Sequence, residues 1–395
     1  MPWREVSAME QRREFVRLAM MEGANRRELC RRFGISPEVG YKWLARVQAG
    51  DGDLTDRSRR PHASPARTGA VIEAAVLAVR QAHPAWGARK IKAWLEARGA
   101  VAPAVSTVHE ILRRHGRIET FPEAPGKAWT RFERSEPNEL WQMDFKGWVR
   151  LASGECCHPL TVLDDHSRFS PALRACPDQQ SATVQAHLEQ AFRRHGLPRA
   201  FFVDNGPPWG SSWDQAGGER WTRLAVWLLK LGVRVLYSRP YHPQSRGKIE
   251  RFHRSLAAEV FALRTFDSFA QVQRAFDRWR ETYNHERPHE ALGQTCPVSH
   301  YRQSPRAMPE HLPSPEYDAD DIVRTVSTTK AYVRFNGRLW SVPKAFRGER
   351  LALRPLDRDG LYGVFFASHP VATIDLTQPK TVSHVSEQVS AMSPG

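Results

Sequence analysis

The stretch His242-Pro-Gln-Ser-Arg-Gly-Lys-Ile-Glu250-Arg-Phe-His253 runs from a breaker-rich approach into a helix that carries one acid among cations. Pro243 suits a first helical turn, where its missing N–H costs nothing, and Ile249, Phe252 and Leu256 recur at helical spacing as an apolar stripe. That register puts Glu250 about two turns into the helix, with Arg246 and Arg254 four residues to either side on the same face. Taken alone, such a face is as consistent with a solvated run of salt bridges as with a site. The other acids of the chain decide between the two.

Upstream, the pattern alternates between strand and helix. Trp141 to Leu151, Pro159 to Asp164 and Phe169 to Ala175 read as strands, and Ala182 to Arg194 as a helix stopped by Gly196. A short buried strand, Ala200 to Val203, a helix from Trp221 to Leu231 and a strand from Val233 to Tyr237 follow, and a last helix spans Phe269 to about Asn284 beyond the opening stretch. This order predicts an α/β layer. Asp144 stands mid-strand in an apolar run, Trp-Gln-Met-Asp-Phe, and Asp204 falls at the carboxyl end of a strand, where α/β sheets gather their ligands. Three acids from three elements, each breaking its local pattern, read as a metal site. Phosphoryl transfer needs such a set, because Mg²⁺ prefers oxygen ligands and a metal pair clamps both the attacking and the leaving oxygen. Asp164 and Asp165 lie at a turn, where Asp commonly bonds backbone N–H groups, and are read as structural.

Residues 1–50 carry three short helical patterns with Gly34-Ile-Ser36 as a tight turn, which is helix-turn-helix grammar. Phe15, Leu18 and Ala19 should face inward from the first, and Val39, Trp43 and Val47 from the third, leaving Glu38, Lys42 and Arg46 for a DNA groove. A basic linker, 51–66, leads to a second copy over 67–118. Val71, Ile72, Ala75, Val76 and Val79 mark its first helix, and Arg89, Lys90, Arg113 and Arg114 are candidate DNA contacts. A linker at 119–136 precedes the α/β part, 137–300; a Pro-rich linker at 301–320 follows it. Beyond lie alternating strands around Asn336-Gly337 and Asp359-Gly360, predicting a small β-barrel over 321–377, and a disordered tail, 378–395.

A formal charge of +15 and a pI near 10 call for a polyanionic partner, and the first third of the chain is its more basic part. Five cysteines without C-x-x-C spacing indicate neither a disulfide framework nor a zinc finger, and a reducing cytoplasm fits them best. Cys156-Cys157-His158 is no metal nest, since neighbours on a strand point to opposite faces. The charged amino terminus lacks the apolar core of a signal peptide, and the longest apolar run, Leu224 to Leu236, is too short to span a bilayer.

Four segments together carry a resemblance: Trp141-Gln-Met-Asp144-Phe-Lys-Gly, Val162-Leu-Asp-Asp-His-Ser-Arg168, Val203-Asp204-Asn-Gly206 and Pro240-Tyr-His-Pro-Gln-Ser-Arg-Gly-Lys-Ile-Glu250-Arg. They resemble the retroviral-integrase-type DDE transposases of bacterial insertion sequences, and the tandem helix-turn-helix region resembles that family's DNA-binding part. The resemblance implies a multidomain protein with an all-α amino-terminal region and a ribonuclease H-like α/β core with a mixed sheet. It implies Asp144, Asp204 and Glu250 as the catalytic, metal-holding triad, with two Mg²⁺ (or Mn²⁺). The partners would be double-stranded DNA, as element terminal repeats and target, and further copies of the chain, in a nucleoid-associated cytoplasmic setting with no membrane and no small-molecule substrate. The element ends would be nicked, and the freed 3′-OH would attack target DNA with no covalent enzyme intermediate. Arg246, Lys248, Arg251 and Arg254 would hold DNA, and Asn205, Gly206, His242 and Gln244 would shape the loops. Two departures stand out. The 45 residues between Asp204 and Glu250 exceed the family's usual spacing, with Pro207–Gly218 as an insertion and Glu219 as a rival acid. The integrases' zinc-binding amino domain is replaced by helix-turn-helix units. A ribonuclease H-like nuclease or resolvase, and a transposase-derived DNA-binding regulator, are the alternatives.

Overall fold

The computed structural model describes residues 7–57, 68–118, 133–210, 221–238, 247–378 and 382–383, and divides into two units, Met1–Arg67 and Thr68–Gly395. In the first unit, α1 (Ala8–Ala19), α2 (Arg26–Arg32) and α3 (Pro37–Gln48) each start on a side-chain cap supplied by Ser7, Asn25 and Ser36. Ser7 and Glu10 form a reciprocal capping box. The inner face of α3 differs from the expected stripe: Gly40, Trp43 and Leu44 are buried, whereas Val39 is 39% exposed. A Cβ on Gly40 would lie 2.6 Å from Cys30 Sγ and 2.8 Å from Phe15 Cζ, so α3 presses its bare backbone against α1 and α2 there. Hydrophobicity alone pointed to Val39, because a glycine that marks a close approach has no side chain to score.

The second unit begins with α4 (Ala70–Ala82), α5 (Ala88–Glu96) and α6 (Val105–Arg114), packed around Val76, Trp86, Ile91, Leu95, Val108 and Ile111. Here too one expected inner residue, Val71, is exposed, and Glu73 turns inward. Its carboxylate is satisfied there by Arg114 at 2.8 Å and His115 at 2.6 Å, which makes burial of the charge tolerable.

The α/β part consists of β1 (Trp141–Phe145), β2 (Val149–Arg150), β3 (Cys156–Asp164), β4 (Ala172–Cys176), α7 (Ser181–His195), β5 (Ala200–Val203), α8 (Arg223–Lys230), β6 (Arg234–Tyr237), α9 (Gly247–Glu259) and α10 (Phe269–His285). The sheet is mixed: β3 is antiparallel to β1, β2 and β4, while β1, β5 and β6 run parallel to one another. Alternation along the strands sends Trp141, Met143, Leu160 and Val162 to one face with Val184, Phe192 and Leu228 of α7 and α8. Leu163 and Leu173 face the other way, onto Phe252, Leu256, Phe276 and Trp279 of α9 and α10. Helices therefore cover both faces. The strand expected to run unbroken from Trp141 to Leu151 is interrupted. Phe145 pairs with Leu160 and Val149 with Cys157, so residues 146–148 face only 158–159, and Gly147 takes up the extra residue at φ 78°.

Part of the stretch read as a Pro-rich linker is strapped to this core. Tyr301 stacks on Phe169 with centroids 4.0 Å apart, the Ser304 N–H donates to His195 O at 2.9 Å, and the Arg306 guanidinium donates to the Pro198, Leu231 and Gly232 carbonyls. Beneath the strap, burial pushes the His195 imidazole down to about 4. The carboxyl-terminal part forms β7 (Ile322–Thr325), β8 (Tyr332–Phe335), β9 (Arg338–Ser341), β10 (Arg350–Pro355), β11 (Leu361–Phe366), β12 (His369–Asp375) and β13 (Val382–Ser383). The expected barrel does not close among the described residues. Strands β13-β12-β11-β10-β7 make one antiparallel sheet, and the β8–β9 hairpin lies across it, contributing Val333, Phe335 and Trp340 to a core shared with Leu353, Val364 and Phe366. The hairpin thus seals the sheet with side chains instead of strand hydrogen bonds. Val226 of α8 joins the same core, and Lys230 pairs with Glu349 at 2.6 Å. The tail expected to be disordered lies, apart from 378 and 382–383, outside the described residues.

Candidate active site

Because β1 and β5 are parallel neighbours, Asp144 near the end of β1 and Asp204 just past β5 leave the sheet at the same carboxyl-terminal end. Both are partly buried. Asp144 Oδ1 accepts from the Phe145 N–H at 2.9 Å and Asp204 Oδ1 from the Gly206 N–H at 3.0 Å. Asn205 Nδ2 donates to Ser238 O at 2.9 Å, tying the turn after β5 to the end of β6.

Glu250 lies in the first described turn of α9; Pro243 and the rest of 239–246, from which its register was counted, fall outside the described residues. Its side chain is exposed, while Ile249, Phe252 and Leu256 bury the opposite face as expected. His253, on the next turn, puts Nε2 2.8 Å from Thr161 Oγ1, and that hydroxyl donates to the Asp144 carbonyl at 2.9 Å. With the hydroxyl proton so used, Nε2 must be the donor of the first bond. Thr161 sits directly opposite Asp144 in the β1–β3 register, so this chain fastens α9 to the strand pair at the level of Asp144. The meeting of His253 and Thr161 carried no signal in the sequence; only the packing of α9 on β3 brings them together.

Among the described residues, no group of three or more His, Cys, Asp or Glu is gathered to hold a metal ion. Asp144, Asp204 and Glu250 thus share one region of the fold without forming a ready cluster, as expected of carboxylates that repel one another unless a cation lies between them. As a donor set, three carboxylates offer hard oxygens, which suit Mg²⁺ or Mn²⁺.

Asp164 is fully buried and accepts from the Asn138 N–H, the Ser167 N–H and the Ser167 hydroxyl at 2.7, 2.8 and 2.6 Å. Burial nevertheless raises its pKa. Asp165, also fully buried, accepts from Gln142 Nε2 and the Arg134 N–H, each at 2.9 Å, and pairs with Lys248 Nζ at 2.6 Å. That pair corrects the reading of Lys248 as a phosphate grip, because its ammonium points inward and its side chain is only 17% exposed. Burial lowers the Lys248 pKa more than Asp165 raises it. Arg251 and Arg254 are exposed on α9, whereas Arg246, His242 and Gln244 lie outside the described residues.

Two further candidate contacts are engaged within the chain. Arg114 is held by Glu73, and Arg46 lies over Trp43 at 4.7 Å while donating to Thr55 O at 3.0 Å. Lys42, Arg89 and Arg113 remain exposed, Arg89 pairing with Glu290 at 2.6 Å and Arg113 with Glu110 at 2.5 Å. Burial, with Arg287 nearby, pushes the Lys90 ammonium down to about 8.

Family models place this geometry. An integrase core domain matches residues 134–243 and 231–297, and the carboxyl-terminal domain of IS481 family transposases matches 321–382. A helix-turn-helix domain matches 11–62 and a homeodomain-like domain 39–112. The chain is 31% identical over 164 residues to an uncharacterized 39.2 kDa protein of insertion element IS476 from Xanthomonas euvesicatoria, covering 42% of this chain and 44% of that one. It is 28% identical over 161 residues to an uncharacterized 31.7 kDa protein of insertion element IS407 from Burkholderia multivorans, covering 41% and 54%. The chain therefore spans about half the length of these curated relatives. Among solved structures, the catalytic core domain of HTLV-2 integrase in complex with magnesium aligns with 42% of this chain and 99% of its own, at 15% identity and a TM-score of 0.31. With an integrase core domain matched between helix-turn-helix domains and an IS481-type carboxyl-terminal domain, the chain is similar to the integrase-type transposases of insertion sequences.

Proposed function

We propose that this chain is a DNA transposase, in which the helix-turn-helix units bind the element's terminal repeats and Asp144, Asp204 and Glu250 serve nicking and strand transfer. The observation that carries this reading is the shared carboxyl-terminal strand end of Asp144 and Asp204, with α9 fastened at that level through His253 and Thr161. The three carboxylates would hold two Mg²⁺, for which Mn²⁺ can substitute. When bound, such a pair stabilises charge on the attacking and leaving oxygens of an in-line displacement. The chain's own part is to orient: the strand ends fix two carboxylates, and α9 presents the third. Arg251 and Arg254, exposed on the same helix, hold backbone phosphate beside them. The nucleophile for joining is the DNA's own 3′-OH, so no covalent bond to the enzyme is needed. Two element ends must be brought together, which calls for several copies of the chain on DNA, and a DNA-bound protein of this kind acts at the nucleoid.

The test is an incubation of purified protein, Mg²⁺, a labelled duplex bearing the element's terminal repeat, and a target plasmid. Joined product is the expected outcome. Cleavage alone would instead identify a nuclease or resolvase, and a mobility shift with neither product a DNA-binding regulator.

A further inference from the structure

We propose that Trp148 is a stacking platform for an unpaired nucleobase of the DNA strand held at the acids, an inference that rests on the transposase reading above. Trp148 is 62% exposed, more than any other aromatic side chain among the described residues. A lone exposed ring is common on protein surfaces, so the case rests on where the backbone holds this one.

Its position is set by the bulge between β1 and β2. The extra residue at 146–148, absorbed by the positive φ of Gly147, resets the alternation so that Trp148 and Arg150 face outward while Leu151 is buried. A bulge of this kind re-aims a side chain, and this one does so four residues after Asp144, beyond the same strand end at which Asp144 and Asp204 emerge. The platform is braced from behind. The Lys146 N–H donates to Pro159 O at 3.0 Å, the Leu151 N–H to Glu155 O at 2.8 Å, and the Ala152 N–H to Phe266 O at 2.9 Å. Lys146 Nζ lies 5.3 Å from the Phe261 ring centre, and Arg150, two residues beyond the indole, is exposed. An exposed ring on rigid backbone, with a cation two residues to either side in the sequence, suits single-stranded nucleic acid, where a ring stacks on a base and cations track the backbone. A base inside an intact duplex has no free face, so the ligand is a frayed or flipped base at the end being processed.

The test uses the full chain and two oligonucleotide probes, a fully paired duplex and the same duplex with a short unpaired end carrying 2-aminopurine. Trp148→Ala should weaken binding to the unpaired-end probe by roughly five- to a hundredfold, with less than a twofold change on the paired duplex. Wild type and Trp148→Phe should quench the 2-aminopurine fluorescence, and Trp148→Ala should not. Thermal unfolding of the variant should match wild type, since the ring buries little. Equal affinity and equal quenching in Trp148→Ala would overturn the proposal while leaving the transposase reading intact. A change in oligomeric mass with unchanged quenching would overturn it in favour of a contact between copies. If wild type bound neither probe, the transposase reading itself would fail.

Discussion

Asp204→Asn is expected to lower nicking and joining by about a thousandfold or more while leaving affinity for the terminal-repeat duplex within twofold of wild type. The loss follows from charge. An amide is a poor ligand for a hard divalent cation, and the set of three carboxylates drops to two. The retained affinity follows from geometry. Asp204 Oδ1 accepts the Gly206 N–H at 3.0 Å, a bond that the amide oxygen of asparagine can also accept, so the turn carrying Asn205 persists. Removing a negative charge near bound phosphate also does not weaken the grip on DNA. Gel-shift titration and product quantification on the same preparation separate the two effects; parallel loss of both would mean that Asp204 shapes the DNA surface instead of the chemistry.

The second large effect is on stability. Asp165→Ala leaves Lys248 as a buried cation without its carboxylate and orphans Gln142 Nε2 and the Arg134 N–H. Breaking such a pair costs about 3–5 kcal/mol. The direction of the Lys248 pKa shows the tension in the pair. A lysine depressed by folding contributes stability only above its ordinary titration range, and that contribution is lost as pH falls through the depressed value. At neutral pH the buried ammonium is therefore a net cost that Asp165 only partly offsets. Replacing both partners, as Asp165→Asn with Lys248→Met, should recover most of the loss in denaturant unfolding, because neither charge is then left alone. Equal destabilisation in the single and double variants would contradict this. Lys248 lies in the first described turn of α9 and Asp165 just past β3, so the pair also steadies the turn that carries Glu250.

The α/β order, the strand-end placement of Asp204 and the buried stripe of α9 were legible in the sequence because each rests on local periodicity. What escaped it depends on partners far along the chain or on backbone geometry. Lys248 reads as one more cation in a basic helix, yet its partner is Asp165, 83 residues away. Glu73 breaks an apolar pattern and still faces inward, because Arg114 and His115 meet it from α6 and its end. The bulge at Gly147 is invisible to a pattern that continues through it, and Gly40 marks the inner face of α3 by what it lacks. The Asn336-Gly337 turn signalled a hairpin, and the hairpin formed, but turn chemistry does not say whether strands close into a barrel.

Glu250 is the acid whose role rests on the least local structure, since it is exposed on α9 and the long interval before it contains a rival, Glu219, outside the described residues. The most direct measurement is therefore joining of a labelled terminal-repeat duplex to plasmid by Glu250→Gln and Glu219→Gln side by side, in Mg²⁺. The predicted result is no joined product from Glu250→Gln and near wild-type joining from Glu219→Gln. Joining by Glu250→Gln at the wild-type rate would contradict the assignment of α9 as the third arm of the metal site.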